Sequence, residues 1–275
     1  MTMQTKQDQK NDKSTYHTRA VSRALQILTS FTINDLELSI AELHERLGIH
    51  KSTLVRLLRC MAEEGFIEQN PETDKYRLGL RTFEIGSLYH RTRMMHIETI
   101  ARPFMQQLVD KFNASANLAI REKSEIVYIG AVEPKGSSMR VVYATGDRFG
   151  VHHTALGKAI IAFLPPDELE DVLETKLTAL TQRTITTVEK LMTELEQVRR
   201  QGYAVDDQES LPGLRCVAAP LWNMDGAVAA LSMSGSTLIV TRERVHEIAK
   251  DIRQAARAVS AQLGGLKTPS VYENP

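Results

Sequence analysis

Between Arg46 and Ala62 the chain places four lysine or arginine residues and no acid. Lys51, Ser52, Thr53, Arg56 and Arg59 recur at spacings that a helix gathers on its outer side. Short hydroxyl side chains at a helix start, where amides point outward, suit phosphate oxygens, and an arginine one turn further in reaches base edges. A solvated helix face is the plainer reading of the same charges. A second group lies far along the chain: His152, His153, Asp206, Cys216, Ser232 and Ser234. Ser232 and Ser234 stand two apart, so on a strand both hydroxyls face one way and can donate to one pair of ligand oxygens. A nucleophile with its base, or a metal, could be drawn from this set. Against catalysis, the chain has no GxSxG, HExxH, P-loop or GxGxxG, and adjacent histidines on a strand would point to opposite faces. Neither an enzyme, a cofactor nor a metal is expected, a zinc ion on one of the histidines being the less remote of these alternatives.

The composition bounds what these groups serve. With 34 basic against 34 acidic residues in 275, a polyanion must be met by a local patch and not by net charge. No apolar run approaches the roughly 20 residues of a membrane span, so no membrane partner is expected. Residues 1–18 read as a disordered polar tail without a signal peptide's apolar stretch, which makes a cytoplasmic protein the expectation. Cys60 and Cys216 are too far apart and too few for a disulfide framework or a thiol-rich zinc finger, and each is expected as a buried packing residue.

The elements that must position the first group follow from periodicity. Val21, Ala24, Leu25, Leu28 and Phe31 predict a first helix. Ser39 three residues before Glu42 is a capping box, opening a second helix that Gly48 stops at Leu47. A third helix, from Lys51 to Glu64, packs Leu54, Leu57, Leu58 and Met61 and ends at Gly65. Phe66 to Gln69 and Lys75 to Leu78, around the turn Asn70 to Asp74, predict a hairpin whose tip offers Asp74, Lys75 and Arg77. Helix, turn, helix and hairpin make a winged helix-turn-helix over residues 19–80, with a double-stranded DNA operator as its partner. A helix-turn-helix serving protein interaction alone is the alternative.

Residues 81–112 predict one or two connecting helices, with Phe83, Leu88, Ile97, Ile100, Phe104 and Leu108 as buried positions and Pro103 as a start or kink. Gly86 and His90 to Arg93 mark a hinge, and apolar residues that the head cannot cover point to a second subunit. From 113 to 265 the pattern predicts an α+β domain, an antiparallel sheet with helices on its faces. Its strands are Ala116–Arg121, Glu125–Val132, Met139–Ala144, Tyr203–Asp206, Arg215–Trp222 and Gly226–Ser234. Its helices are Thr154–Phe163, Asp167–Leu180, Val188–Gln201 and Thr241–Leu263, and residues 266–275 read as a tail. Gly157 and Gly213 would let backbone approach a ligand, and the amides opening the Thr154 helix favour an anion.

Several runs carry a family pattern. Ser39-Ile-Ala-Glu-Leu-His-Glu-Arg-Leu-Gly-Ile-His-Lys-Ser-Thr-Leu-Val-Arg-Leu-Leu, then Glu64-Gly-Phe-Ile-Glu and Tyr76-Arg-Leu-Gly-Leu-Arg, resemble the head of the IclR family of bacterial transcriptional regulators. His153-Thr-Ala-Leu-Gly-Lys-Ala, Gly202-Tyr-Ala-Val-Asp-Asp-Gln-Glu, Gly213-Leu-Arg-Cys-Val-Ala-Ala-Pro and Ala230-Leu-Ser-Met-Ser-Gly resemble its effector domain. The resemblance implies a winged head, a connecting helix, a GAF-like sensor, and homodimers or dimers of dimers. It implies a small organic effector, commonly an acid or aromatic from catabolism, held by Ala155, Leu156, Asp206, Leu214, Cys216, Ser232 and Ser234. Gln208, where the family often has another acid, and Pro212 within the loop are departures. A carboxylate at Asp206 repels an anion unless one is protonated or a ligand hydroxyl intervenes, which points to a hydroxyl- or amine-bearing effector.

Overall fold

The structure, a computed structural model, describes residues 18–32, 35–89, 95–135 and 143–265. The expected tails, the basic hinge at 90–93 and most of the Met139–Ala144 run lie outside the described residues. The chain forms two compact units, residues 1–92 and 93–275.

In the first unit α1 (Arg19–Leu28), α2 (Ile40–Leu47) and α3 (Lys51–Glu63) enclose a small core with β1 (Ile67–Gln69) and β2 (Tyr76–Leu78). Ser39 Oγ accepts from the Glu42 amide and the Glu42 carboxylate accepts from the Ser39 amide, so the expected capping box is closed. Gly48 at φ 63° and Gly65 at φ 75° take the left-handed conformation that lets the chain leave α2 and α3. The α1 stripe is rotated from expectation. Ile27 is its fully buried member, whereas Val21 and Leu25 are exposed. Leu54, Leu58 and Met61 are buried as the period demands, with Leu57 partly so, while Cys60 on the other side of α3 is exposed instead of buried. Leu38 exchanges both backbone hydrogen bonds with Tyr76, adding a bridge to the hairpin. α4 (Leu80–Tyr89) follows, carrying Gly86 inside the helix.

The second unit is a six-stranded antiparallel sheet in the order β5-β4-β3-β8-β7-β6. Its strands are β3 (Ser115–Glu122), β4 (Glu125–Val132), β5 (Arg148–Gly150), β6 (Ala204–Asp207), β7 (Leu214–Asn223) and β8 (Gly226–Ser236). Period two separates two cores. One face packs on α5 (Met95–Phe112) and α9 (Val245–Gln262) through residues such as Met105, Phe112, Leu231 and Ile252. The other packs on α6 (Ala155–Ile161) and α8 (Val188–Gln201) through residues such as Ile160, Leu195 and Ala218. α7 (Pro166–Leu173) is shorter than the expected helix to Leu180, and β5 had no sequence counterpart.

The segment read as connecting helices divides. α5 continues through Pro103 and buries Ala101, Met105, Leu108, Val109 and Phe112 in the second unit's core. Phe83 and Leu88 on α4, expected buried, are 71% and 61% exposed in the single chain.

Candidate functional site

The turn from Gly48 to His50 leads into α3, and burial of Leu54 and Leu58 in the head's core fixes its rotation. Lys51, Ser52, Arg56 and Arg59 therefore face solvent, with Thr53 half-buried at the helix start. Lys51 and Arg56 make no ion pair with any described residue, whereas Arg59 lies 3.1 Å from Glu63. The two wing cations are also committed. Lys75 Nζ is 3.2 Å from Glu42, and Arg77 Nε is 2.5 Å from Glu68 with Glu37 at 3.7 Å. Asp74 turns at φ 56°, and the wing turn is tied down where Asn70 and Thr73 donate to Glu37. Glu42 takes bonds from the Ser39 amide, the Ser39 hydroxyl and Lys75, which hold its carboxyl at about 2. The expected seven-residue set thus splits into a free group at the start of α3 and a group already balanced by the head's own acids.

In the second unit a small cavity, of about 10 Å³, lies between the start of α6 and the sheet. Register builds its floor: Asp206, Cys216 and Ser234 are successive cross-strand partners over β6, β7 and β8, with Ser115 of β3 next in the row beyond the cavity. The next row on the same face runs Ala218, Ser232, Asn117. Small side chains at Cys216, Ala218, Ser232 and Ser234 leave the space that larger residues would fill. Thr154 caps α6, accepting from the Gly157 amide and donating to Gly150 O, which sets Ala155 and Leu156 at the cavity with their first-turn amides. A third side is aromatic: Tyr128 and Tyr143 stack with centroids 4.4 Å apart, and Phe149 meets both edge-on.

The polar groups here are not all paired. Asn117 Nδ2 donates to Ser234 Oγ at 3.2 Å, but Asn117 Oδ1 and Ser232 Oγ, both fully buried residues, have no partner among the described residues. Asp206 is 1% exposed; its Oδ1 accepts from the Glu209 amide at 2.7 Å, and its Oδ2 accepts from the Ser210 hydroxyl. Burial raises the Asp206 carboxyl above its ordinary range, against those hydrogen bonds and Lys158, and burial likewise pushes the Cys216 thiol up. Behind this wall Lys158 is held charged: desolvation opposes it, but Glu209 and Glu194 outweigh that. Burial lifts Glu209 to about 7 in spite of the Lys158 ammonium.

Six of the seven expected ligand residues line this cavity: Ala155, Leu156, Asp206, Cys216, Ser232 and Ser234. Leu214 does not. It is buried in the adjoining core, paired with Ser236 two positions beyond the floor. Gly157 meets the Val151 backbone and not a ligand, since a Cβ there would fall 2.3 Å from Val151 Cα, and Gly213 is required by its φ of 79°. His152 and His153 occupy a turn and pack edge to face instead of splitting across a strand. His153 Nε2 accepts from the Gly150 amide, and burial lowers this imidazole to about 4. Among the described residues no group of three or more histidines, cysteines or acids could hold a metal, and no helix is long and apolar enough to cross a membrane.

Sequence reasoning missed Asn117, Tyr128, Tyr143, Thr154 and Ser210. Asn117 had a visible signal, a lone amide side chain inside the apolar strand run Ser115 to Ile120. Tyr128 had one too, because a tyrosine on a buried strand brings a hydroxyl that needs a polar neighbour.

Residues 20–71 match the IclR helix-turn-helix domain, and residues 89–261 match the C-terminal domain described as bacterial transcriptional regulator IclR C-terminal. The chain is 38% identical over 249 residues to the HTH-type transcriptional regulator XynR of Escherichia coli K12, covering 90% of this chain and 97% of that one. The Thermotoga maritima IclR crystal structure superposes with a TM-score of 0.71 at 30% identity, covering 90% of this chain and all of that one. An IclR homologue from Microbacterium hydrocarbonoxydans complexed with 4-hydroxybenzoate shares the fold, with a TM-score of 0.77 at 22% identity over 89% of this chain and 98% of that one.

Proposed function

The chain belongs to the IclR family of bacterial transcriptional regulators, and on that premise we propose that α3 reads its operator while a small hydroxyl-bearing organic acid in the α6 cavity controls the binding. It is a regulator and not an enzyme, as its relatives are. In the head, Lys51, Ser52 and Thr53 take phosphate oxygens at the start of α3, and Arg56 reaches a base edge. Arg59, Lys75 and Arg77 adjust the surrounding field from within their ion pairs.

One observation carries the effector assignment: Ser232 Oγ, a buried hydroxyl with no partner among the described residues, lines the cavity. An unpaired buried polar group costs about 1–3 kcal/mol, which a ligand oxygen accepting from Ser232 Oγ can recover. Asp206 asks for a second group, a ligand hydroxyl that donates to its carboxylate where a bare anion would be repelled. The ligand's own carboxylate is received by the Ser232 and Ser234 hydroxyls and the Ala155 and Leu156 amides. Tyr128 and Tyr143 offer a flat apolar wall, and because the space between the lining side chains holds no more than about one water, a ligand enters only as those side chains move apart.

The test combines operator binding with matched ligands. Footprinting on the DNA upstream of the protein's own gene, at stated salt, is expected to protect two inverted half-sites. Glycolate against acetate, and 4-hydroxybenzoate against benzoate, are then compared by thermal shift and by their effect on that footprint. The hydroxyl-bearing member of a pair is expected to bind and to change operator occupancy. Equal behaviour within both pairs sinks the hydroxyl requirement, and absence of any protection at low salt sinks the α3 assignment.

A further inference from the structure

Lys158 stands one turn into α6, and its side chain is wholly buried. Its ammonium donates to Val205 O at 2.6 Å, to Glu209 Oε1 at 2.5 Å and to Glu194 Oε1 of α8 at 3.0 Å. Val205 immediately precedes Asp206, and Glu209 immediately precedes Ser210. Between those two anchors the backbone turns on Asp206, whose carboxylate accepts from the Glu209 amide, the Ser210 amide and the Ser210 hydroxyl. One cation therefore grips both ends of the segment whose side chains, Asp206 and Ser210, line the cavity, while neither Lys158 nor Glu209 lines it. An aliphatic residue would fill the core beneath α6 without the cost of desolvating an ammonium, so the lysine is better explained by what it holds in place than by packing.

We propose that Lys158, acting through Val205 and Glu209, is a positioning residue of the effector cavity: it fixes how far Asp206 and Ser210 reach toward the ligand. Glu194 serves only to balance its charge. This inference rests on reading the cavity as the effector site, and its test separates the two.

Glu209→Ala and Glu194→Ala each remove one carboxylate from the same ammonium, but only Glu209→Ala releases the loop. Native-state amide exchange on the full chain at positions 209 and 210, corrected for intrinsic rates, is expected to quicken about tenfold or more in Glu209→Ala and in Lys158→Met, the scale of one lost hydrogen bond. Amides of Leu231 and Met233 in β8 keep their rates, and Glu194→Ala leaves positions 209 and 210 as in the parent. Glycolate affinity by calorimetry falls by a similar factor in the same two variants and not in Glu194→Ala. Equal quickening in both glutamate variants, or none in Glu209→Ala, overturns the positioning role. Should Lys158→Met fail to fold, the glutamate pair decides alone. Ser234→Ala reports the effector reading by itself. If it leaves glycolate binding untouched while the exchange pattern holds, the loop is positioned as inferred and the cavity is not the effector site.

Discussion

Ser232 and Lys158 show two opposite ways for a polar side chain to be buried. Ser232 has a hydroxyl with no partner, so removing it relieves the chain of a desolvated group. Ser232→Ala is expected to leave the urea midpoint of the ligand-free protein unchanged or to raise it by the equivalent of up to about 1 kcal/mol. Hydroxy-acid affinity should fall at the same time, and a loss of stability without a loss of affinity would place the hydroxyl in the core and not in a binding wall. Lys158 is fully paired, and truncating it strands Glu209 and Glu194 beside Asp206. Lys158→Met is expected to cost about 3–5 kcal/mol in urea unfolding, the usual penalty for breaking one side of a buried ion pair. Asp207 shows a third arrangement: Arg215, Arg183 and Arg242 converge on it, and against its partial burial the hydrogen bonds from Arg242, Arg215 and Gln208 hold its carboxyl at about 2, which pins the outer edge of β6.

At the scale of elements, α2 is held by its cap and α6 by a close approach. Ser39→Ala removes the acceptor for the Glu42 amide and is expected to cost the head about 1 kcal/mol in denaturant unfolding. Glu42 adds a pH signature. Its folded value of about 2 lies below the ordinary 4.5, so its contribution is complete above 4.5 and is lost as pH falls toward 2. The stability difference between the parent and Glu42→Gln should therefore close over that interval, and a constant difference would show that the charged form is not favoured by the cap. In α6, a Cβ at Gly157 would collide with the Val151 backbone at 2.3 Å and 2.4 Å, and backbone cannot rotate away as a side chain can. Gly157→Ala is expected to displace the start of α6, and with it Ala155 and Leu156, lowering both thermal stability and ligand affinity.

For the whole molecule the exposed faces decide. Arg56 lies in solvent with no described ion-pair partner, so Arg56→Ala should cost about 1–3 kcal/mol of operator affinity and relax discrimination at the base it reads. Lys75 is already neutralised by Glu42, and Lys75→Ala is expected to change operator affinity less than Arg56→Ala does, in titrations at two salt concentrations. The reverse order would move the DNA face from α3 to the wing. Leu80, Phe83 and Ile85 on α4, with Val21 and Leu25 on α1, are large apolar side chains left exposed in one chain. A second copy of the chain is the expected cover, and Phe83→Asp should lower the mass measured by sedimentation equilibrium toward that of a monomer.

What the sequence determined by itself was local. The Ser39 and Glu42 box, the stops at Gly48 and Gly65 and the Val188–Gln201 helix are legible because each depends on residues within a turn or two of one another. Ser232 and Ser234 were legible in the same way, two apart on one strand face, while Ala155, Leu156, Asp206 and Cys216 were named by the family resemblance. The tertiary structure decided the rest. β3 pairs with β8 across more than a hundred residues, and that register alone sets Asn117 beside Ser232 and Ser234. Nothing in the period of either strand encodes which strand will lie next to it. Burial of Lys158 is equally non-local, because its three acceptors come from α8, β6 and the loop beyond. Arg77 pairs with Glu68 across the hairpin, but the Lys75–Glu42 and Arg77–Glu37 pairs arise only when the hairpin folds back on α2 and on residue 37, so a charge run that reads as a free patch in sequence is partly spent inside the head. Phe83 carries the same lesson with the opposite sign: apolar character marks a surface that must be covered, and only the packing of the chain tells whether the chain itself provides the cover.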